Sequence, residues 1–158
     1  MSDIKELQDL CLLRNISIAV AESCTAGHIS SNITSISGSS KYFKGSIIAY
    51  QNEIKIKKLG IPQELITEKT EVSAEVVEKM AYNILSHFDV DFSIATSGYT
   101  GPSGGTIVNP VGTVFIAVAN QSNTLVKRFS FTGSRQGITI QATNAAILLL
   151  LSEIKKYK

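Results

Sequence analysis

Short apolar runs rich in β-branched residues alternate along this chain with longer segments of helical spacing, and this alternation most constrains the fold. The predicted strands are residues 16–20, 46–50, 92–96, 112–119 and 125–131. The predicted helices are residues 4–14, 25–36, 52–59, the segment capped by Ser73 and the long segment capped by Ser134. We therefore predict an α/β fold, a three-layer α/β/α sandwich on a mixed, mostly parallel sheet of about five strands.

The composition excludes several classes of protein. Hydrophobic residues make up 44% of the chain and charged residues 18%, and the net charge of +2 comes without a dense basic stripe, so nucleic acid is not an implied partner. Two cysteines are too few for a disulfide framework. The first residues lack the layout of a signal peptide, and the apolar run 145–151 is far shorter than the roughly 20 residues that span a bilayer. We expect one cytoplasmic domain over residues 1–158, with no membrane partner.

Residues 21–27 lie where the first predicted strand gives way to a helix. The hydroxyl of Ser23 would lie there beside unpaired N–H groups, at the positive end of the helix dipole, which can hold an oxyanion or a bound anion. A serine nucleophile needs a base, however, and such a serine taken alone is more often a helix cap. Cys24 with His28, one helical turn later, is a second possible nucleophile and base.

Lysine is the other candidate base. Lys55 falls in the first turn of a short predicted helix, whose dipole disfavours the ammonium form, and burial would lower its pKa further. Tyr50 precedes it by five residues at a predicted strand end, from which its phenol could orient or relay a proton. From spacing alone, a surface lysine and an aromatic residue at the edge of the core are the commoner interpretations.

Two further features favour an anionic ligand. Arg135 is a cation in the first turn of the last helix, where the dipole opposes it, so an anionic partner would explain it nearly as well as simple exposure to solvent. Four glycines lie in the loop after the third predicted strand, Gly98, Gly101, Gly104 and Gly105. Such a loop can bring N–H groups close to a phosphate, although its spacing is not that of a known phosphate-binding fingerprint. Because Ser23, Tyr50 and Ser97 all end predicted strands, we expect one shared site.

Several segments together resemble a known family. In chain order they are Ala21-Glu22-Ser23-Cys24-Thr25, Gly38-Ser39-Ser40, Tyr50-Gln51-Asn52-Glu53-Ile54-Lys55, Val72-Ser73, Gly98, Gly101-Pro102-Ser103-Gly104-Gly105-Thr106, Pro110-Val111-Gly112-Thr113-Val114 and Gly133-Ser134-Arg135. This combination resembles the CinA C-terminal domain family, whose characterised members include nicotinamide mononucleotide amidohydrolases. The pieces occur in family order and cover nearly the whole chain.

The resemblance implies a serine–lysine amidohydrolase that converts nicotinamide mononucleotide to nicotinic acid mononucleotide and ammonia, within the pyridine nucleotide cycle. It implies Ser23 as nucleophile, Lys55 as base and Tyr50 as an assistant between them. The substrate-binding residues that it implies are Thr25, Ser40, Asn52, Gly101, Gly104, Gly105 and Arg135. We expect a small-molecule nucleotide as substrate, no cofactor, no metal, and a homo-oligomer, most simply a dimer.

The sequence departs from the family pattern at three places. Ala26 replaces a glycine, and Tyr99-Thr100 replaces smaller residues, which could narrow the pocket. Residues 69–71, Lys-Thr-Glu, replace a loop that usually carries His-Gly-Ala, so the substrate preference is open. This last change motivates an alternative function, a non-catalytic nucleotide-binding module on the same scaffold. Because the chain begins near the start of this domain, we expect the family's frequent N-terminal partner domain to be absent.

Overall fold

The computed structural model describes residues 2–157, and within them it contains a five-stranded sheet and six α-helices. The elements are α1 (Ser2–Arg14), β1 (Ile18–Glu22), α2 (His28–Ile33), a 3-10 helix (Ser39–Lys41), β2 (Phe43–Ile48), α3 (Asn52–Leu59), α4 (Gln63–Lys69), α5 (Ala74–Phe88), β3 (Phe92–Gly98), β4 (Thr113–Asn120), β5 (Thr124–Ser130) and α6 (Arg135–Lys156).

The sheet is mixed, in the order β2-β1-β3-β4-β5. Strand β1 pairs in parallel with both β2 and β3, whereas β4 is antiparallel to β3 and to β5. Four of the five strands therefore point the same way, which confirms the predicted α/β sandwich with a hairpin after the parallel part. The carboxyl ends of β1, β2 and β3, the start of β4 and the start of α6 meet at one edge of the sheet, where a ligand site is expected.

Two cores, one on each face of the sheet, follow from the alternation of side chains along the strands. On one face, Ile18 and Val20 of β1 pack with helices α1, α2 and α6. On the other face, Ala19 and Ala21 pack with α5 and with residues of α3 and α4. The small alanine side chains leave room for α5 to lie close to the sheet.

Helix α6 is 22 residues long and, by length and composition alone, could cross a membrane; it is the one such helix in the described part of the chain. However, 56% of its apolar window is buried inside the fold. The predicted buried helix at residues 145–151 lies within α6, and its buried residues there are Ala146, Ile147, Leu149, Leu150 and Leu151. The helix thus contributes one side of the first core.

The strand ends and the first connection differ from the sequence prediction. Strand β1 extends to Glu22 rather than Val20, and β2 spans Phe43–Ile48 rather than residues 46–50. Gly45 adopts φ 142° within β2, beside an irregularity in its register with β1, so the pattern of apolar residues there did not reveal the strand start. The helix predicted from Thr25 begins only at His28, because residues 23–27 form turns.

Candidate active site

Ser23 and Lys55 meet at the carboxyl edge of the sheet, where Lys55 Nζ lies 3.0 Å from Ser23 Oγ. Ser23 follows directly after β1, and Lys55 projects from α3, the helix that follows β2. Because β1 and β2 are adjacent parallel strands, their connections bring the two side chains together. Both are buried, with Ser23 7% and Lys55 1% exposed. The fold thus places a hydroxyl against an amine, away from bulk water.

The lysine amine has three neighbours. Its Nζ donates to the carbonyl oxygens of Ala49 at 2.9 Å and Tyr50 at 3.2 Å, besides contacting Ser23 Oγ. Burial lowers the pKa of Lys55 below its ordinary value, since the ammonium form loses its hydration, and the negative charge of Glu71 acts in the opposite direction. A lysine with a lowered pKa beside a serine hydroxyl is the arrangement that a general base requires.

Tyr50 and Arg135 form the mouth of the site. Tyr50 is 52% exposed, and its phenol oxygen accepts a hydrogen bond from Arg135 Nη2 at 2.7 Å. Arg135 Nη1 donates to the carbonyl oxygen of Gly101 at 2.7 Å, which ties the start of α6 to the glycine loop. The phenol thus pairs with the arginine, while only the carbonyl of Tyr50 contacts Lys55. Arg135 as a whole is exposed, so a ligand at the mouth can reach it.

A cavity of about 190 Å³ connects these groups. The side of the cavity formed by the strand ends and the glycine loop includes Ser97, Gly98, Gly101 and Ser103. A Cβ atom at Gly98 would lie 2.7 Å from the carbonyl oxygen of Thr113, so this position has no room for a side chain. The glycine therefore lets the β3–β4 pair close tightly where the cavity wall turns. Among residues 2–157, no group of three His, Cys, Asp or Glu side chains is placed to hold a metal ion.

The backbone N–H groups at the start of α2 bind a side chain of the protein itself, which differs from our prediction. The buried carboxylate of Glu22 accepts hydrogen bonds from the N–H groups of Gly27 at 2.9 Å, Ile29 at 3.1 Å and Ser30 at 3.0 Å, and from Ser30 Oγ at 2.6 Å. The start of α2 is thereby occupied by an internal anion. The prediction that first-turn N–H groups of this helix face the site is wrong. Their role as oxyanion donors would have to pass to Cys24 and Thr25, whose N–H groups donate to no backbone carbonyl in the described part of the chain.

Cys24 lines the cavity, but its surroundings do not activate it. Burial raises the pKa of its thiol to about 12, so the thiol stays protonated at neutral pH. His28 is exposed, and its Nδ1 lies 2.7 Å from the carbonyl oxygen of Thr25 rather than near the cysteine. The geometry favours Ser23 over Cys24 as the nucleophile, because only Ser23 contacts a basic side chain.

Several predicted substrate-binding residues lie outside the cavity wall. Thr25 is buried, and its hydroxyl pairs with that of Thr96 at 2.8 Å. Ser40 lies in the 3-10 helix and Asn52 at the first turn of α3, both exposed and neither lining the cavity. Gly104 and Gly105 also lie beyond the wall, whereas Gly101 and Arg135 form part of it. His87, at the last turn of α5, is exposed near the opposite edge of the sheet.

Sequence reasoning missed part of the wall. Glu71 and Val72, from the loop between α4 and α5, line the cavity beside Tyr99 and Thr100. The only sequence signal for Glu71 was the unusual composition of residues 69–71. Ser97 lines the same wall, as predicted from its place at a strand end, and its hydroxyl donates to the carbonyl oxygen of Glu71 at 2.6 Å.

Known proteins share this fold and sequence. The model of the CinA C-terminal domain family matches residues 2–154. A CinA-like protein of Flavobacterium psychrophilum is 44% identical over 90% of this chain and 34% of its own length. A CinA-like protein of Prochlorococcus marinus subsp. pastoris is 46% identical over 96% of this chain and 36% of its own length. The chain thus spans about a third of the curated relatives that it matches.

Solved structures agree with the fold. The crystal structure of the competence damage-inducible protein A from Klebsiella pneumoniae superposes with a TM-score of 0.96 at 26% identity, covering 99% of this chain and 98% of that one. The competence/damage inducible protein CihA from Agrobacterium tumefaciens superposes with a TM-score of 0.88 at 29% identity, covering 95% of this chain and 94% of that one.

Proposed function

Because this chain belongs to the CinA C-terminal domain family, we propose that it is an amidohydrolase that converts the carboxamide of nicotinamide mononucleotide to the acid and ammonia. The observation that carries the proposal is the buried contact between Lys55 Nζ and Ser23 Oγ at 3.0 Å. A buried lysine with a lowered pKa costs stability, so its placement against a hydroxyl is better explained by chemistry than by packing.

The first step is attack by Ser23. In its neutral form the Lys55 amine has two hydrogens and one lone pair. The carbonyl oxygens of Ala49 and Tyr50 can only accept, so they take the two hydrogens and leave the lone pair facing Ser23 Oγ. Lys55 then removes the hydroxyl proton while Ser23 Oγ bonds to the amide carbon, and the carbonyl electrons move to its oxygen.

The oxyanion that forms needs donors that are not already engaged. Glu22 occupies the N–H groups of Gly27, Ile29 and Ser30, so we assign the role to the N–H groups of Cys24 and Thr25 in the turn beside the nucleophile. The Glu22 carboxylate holds the turn in shape by bonding across it. Its contribution to the reaction is positional, because its oxygens are buried away from the cavity wall.

The leaving nitrogen takes the proton from Lys55 as the C–N bond breaks, and ammonia departs from an ester on Ser23. Lys55, neutral again, then removes a proton from water, whose oxygen bonds to the ester carbon. As the bond from that carbon to Ser23 Oγ breaks and the acid forms, Ser23 Oγ takes the proton from Lys55, so both residues return to their starting state. Arg135 at the mouth would hold the phosphate through the guanidinium edge that it does not use on Tyr50 and Gly101.

Ammonia release from nicotinamide mononucleotide tests the proposal. The wild-type protein should release ammonia and Ser23→Ala should not, while Cys24→Ala, a change at the adjacent cavity residue, should stay active. Activity in Ser23→Ala together with its loss in Cys24→Ala would overturn the assignment. Calorimetric binding of the nucleotide by the wild-type protein without any turnover would support the non-catalytic module instead.

A further inference from the structure

The cavity contains one carboxylate among the described residues that line it, that of Glu71. Two basic side chains, Lys55 at the deep end and Arg135 at the mouth, line the same space. Glu71 comes from the loop between α4 and α5, so it approaches the dyad from a different element than either basic residue. The cavity wall therefore carries one acidic side chain opposite two basic ones, of which Arg135 is the permanent cation.

The backbone around Glu71 is held by hydrogen bonds, whereas the Glu71 carboxylate makes few contacts with the protein. Ser97 Oγ donates to the backbone carbonyl oxygen of Glu71 at 2.6 Å. The neighbouring Val72 is buried, and its carbonyl oxygen accepts from Asn109 Nδ2 at 3.1 Å. The side chain itself accepts only a long hydrogen bond of 3.4 Å from the Tyr99 phenol. Within residues 2–157 it forms no ion pair closer than 4.0 Å.

An ionised carboxylate has about four acceptor positions, and most of those on Glu71 face no protein donor. Because Glu71 is half-buried, water screens its charge less than it screens the charge of a surface carboxylate. Such a group attracts a cation or an N–H donor on a ligand and repels an anion. The substrate and the product of the proposed reaction differ in this respect, because the product bears a carboxylate where the substrate bears an amide.

We propose that Glu71 sets the specificity of this site, favouring a ligand whose amide-bearing ring carries a positive charge and disfavouring the carboxylate product. The inference rests on the proposed function. Arg135 then takes the phosphate end of the nucleotide, and Glu71 faces the ring end near the dyad. Compared with the usual His-Gly-Ala loop, Glu71 would thereby give this chain a different substrate preference for the same reaction.

A simpler role for Glu71 is to tune the base. Its negative charge opposes the effect of burial on Lys55, and it also raises the pKa of Tyr99, which burial raises most. The other groups around the amine that titrate or carry charge are Cys24, Tyr50 and Arg135. Tuning of Lys55 would alter the rate for every substrate alike. Selection by Glu71 would alter the ratio between a charged and an uncharged ring, so the two roles are distinguishable.

The test compares Glu71→Gln with Glu68→Gln, a matched removal of an exposed carboxylate on α4 outside the cavity. For each variant, kcat/KM is measured with nicotinamide mononucleotide, whose ring is cationic, and with its reduced form, whose ring is uncharged. The ratio of the two values is compared between variants, so the different reactivity of the two amides cancels. Binding of nicotinic acid mononucleotide is measured by calorimetry in parallel.

In Glu71→Gln the preference for the cationic ring should fall about tenfold, and the acid product should bind correspondingly more tightly. Glu68→Gln should match the wild type, and Glu71→Asp, which keeps the charge, should retain most of the preference. An unchanged ratio in a folded Glu71→Gln protein that still turns over would overturn this inference alone. Wild-type protein that neither binds nor hydrolyses either nucleotide would overturn the proposed function, and this inference with it.

Discussion

The deep end of the cavity and its mouth are built on different principles. At the deep end, Ser23 and Lys55 are buried, and every polar contact of the lysine amine is with a group fixed by a strand end. At the mouth, Tyr50 and Arg135 are exposed and hold each other through long side chains. Burial preorganises the groups that would do chemistry, whereas exposed side chains can adapt to the ligand that they bind. The difference predicts that changes at the deep end affect kcat and changes at the mouth affect KM.

The largest effect is expected for Lys55→Met. Methionine matches the length of the lysine side chain but has no amine, so kcat should fall by at least about 10³-fold with nucleotide affinity retained. Lys58→Met, on the exposed face of the same helix, is the matched control and should keep full activity. Single-turnover kinetics and calorimetry separate the two quantities. A Lys55→Met enzyme with near-normal kcat would show that the deep end is not catalytic.

The next largest effect is expected for Arg135→Ala, a change at the mouth of the cavity. Loss of the guanidinium should raise KM for nicotinamide mononucleotide about tenfold to a hundredfold while kcat changes little. The control is the substrate rather than a variant, since nicotinamide riboside has no phosphate and its KM should be nearly unaffected. An equal rise in KM with both substrates would mean that Arg135 maintains the structure of the mouth and does not bind the phosphate.

The contrast between these two predictions also shows what the sequence could provide. Ser23 and Lys55 were predictable because each follows a strand of one parallel pair, and because the first turn of α3 was visible in local spacing. Glu71 was not predictable from local pattern, since its place in the wall depends on a hydrogen bond to Ser97, 26 residues further along the chain. The resemblance implied Asn52 and Ser40 at the substrate, yet both lie outside the cavity wall.

The start of α2 shows a different kind of failure. Residues 25–27 have the composition of a first helical turn, but Ala26 and Gly27 adopt φ values of 46° and 94°. No propensity scale predicts a left-handed alanine, because it is stabilised by tertiary contacts around Glu22. The helix therefore starts three residues late, with its donors already bonded to a buried carboxylate.

The pH dependence should reflect the state of the lysine. The Lys55 amine accepts a proton only when neutral, so kcat/KM should rise with pH by about tenfold per unit and level off above a pKa lower than the ordinary lysine value of 10.5. At Lys55 the unfolded chain binds more protons than the folded chain between these two pKa values, so this residue should contribute a rise in the free energy of unfolding with pH across that window. The buried thiols of Cys11 and Cys24, whose pKa values are raised, contribute in the opposite direction.

Lys55→Met should abolish that rise in stability, while Lys58→Met should keep it. The measurement is urea unfolding of the three proteins in a series of buffers from neutral to alkaline pH. A slope of stability against pH that is the same in the wild type and in Lys55→Met would contradict a lowered pKa for this lysine.

The smallest effect is expected at Ala26. Its left-handed conformation costs about 1–2 kcal/mol for a residue with a side chain. Glycine removes that cost, but its greater freedom in the unfolded chain opposes the gain by about 0.5–1 kcal/mol. Ala26→Gly should therefore raise the free energy of unfolding by up to about 1 kcal/mol and leave kcat unchanged. Thermal unfolding gives the sign, and a destabilised variant would show that the methyl group makes a packing contact of greater value.

A double-mutant cycle on kcat for Ser23→Ala and Lys55→Met tests the central claim most directly. If the two residues act as one unit, removing the second should cost almost nothing once the more costly one is gone, so the double variant should be no slower than the slower of the two single variants. Losses that multiply, with the double variant slower by the product of the two single effects, would show that Ser23 and Lys55 act independently and would contradict the dyad.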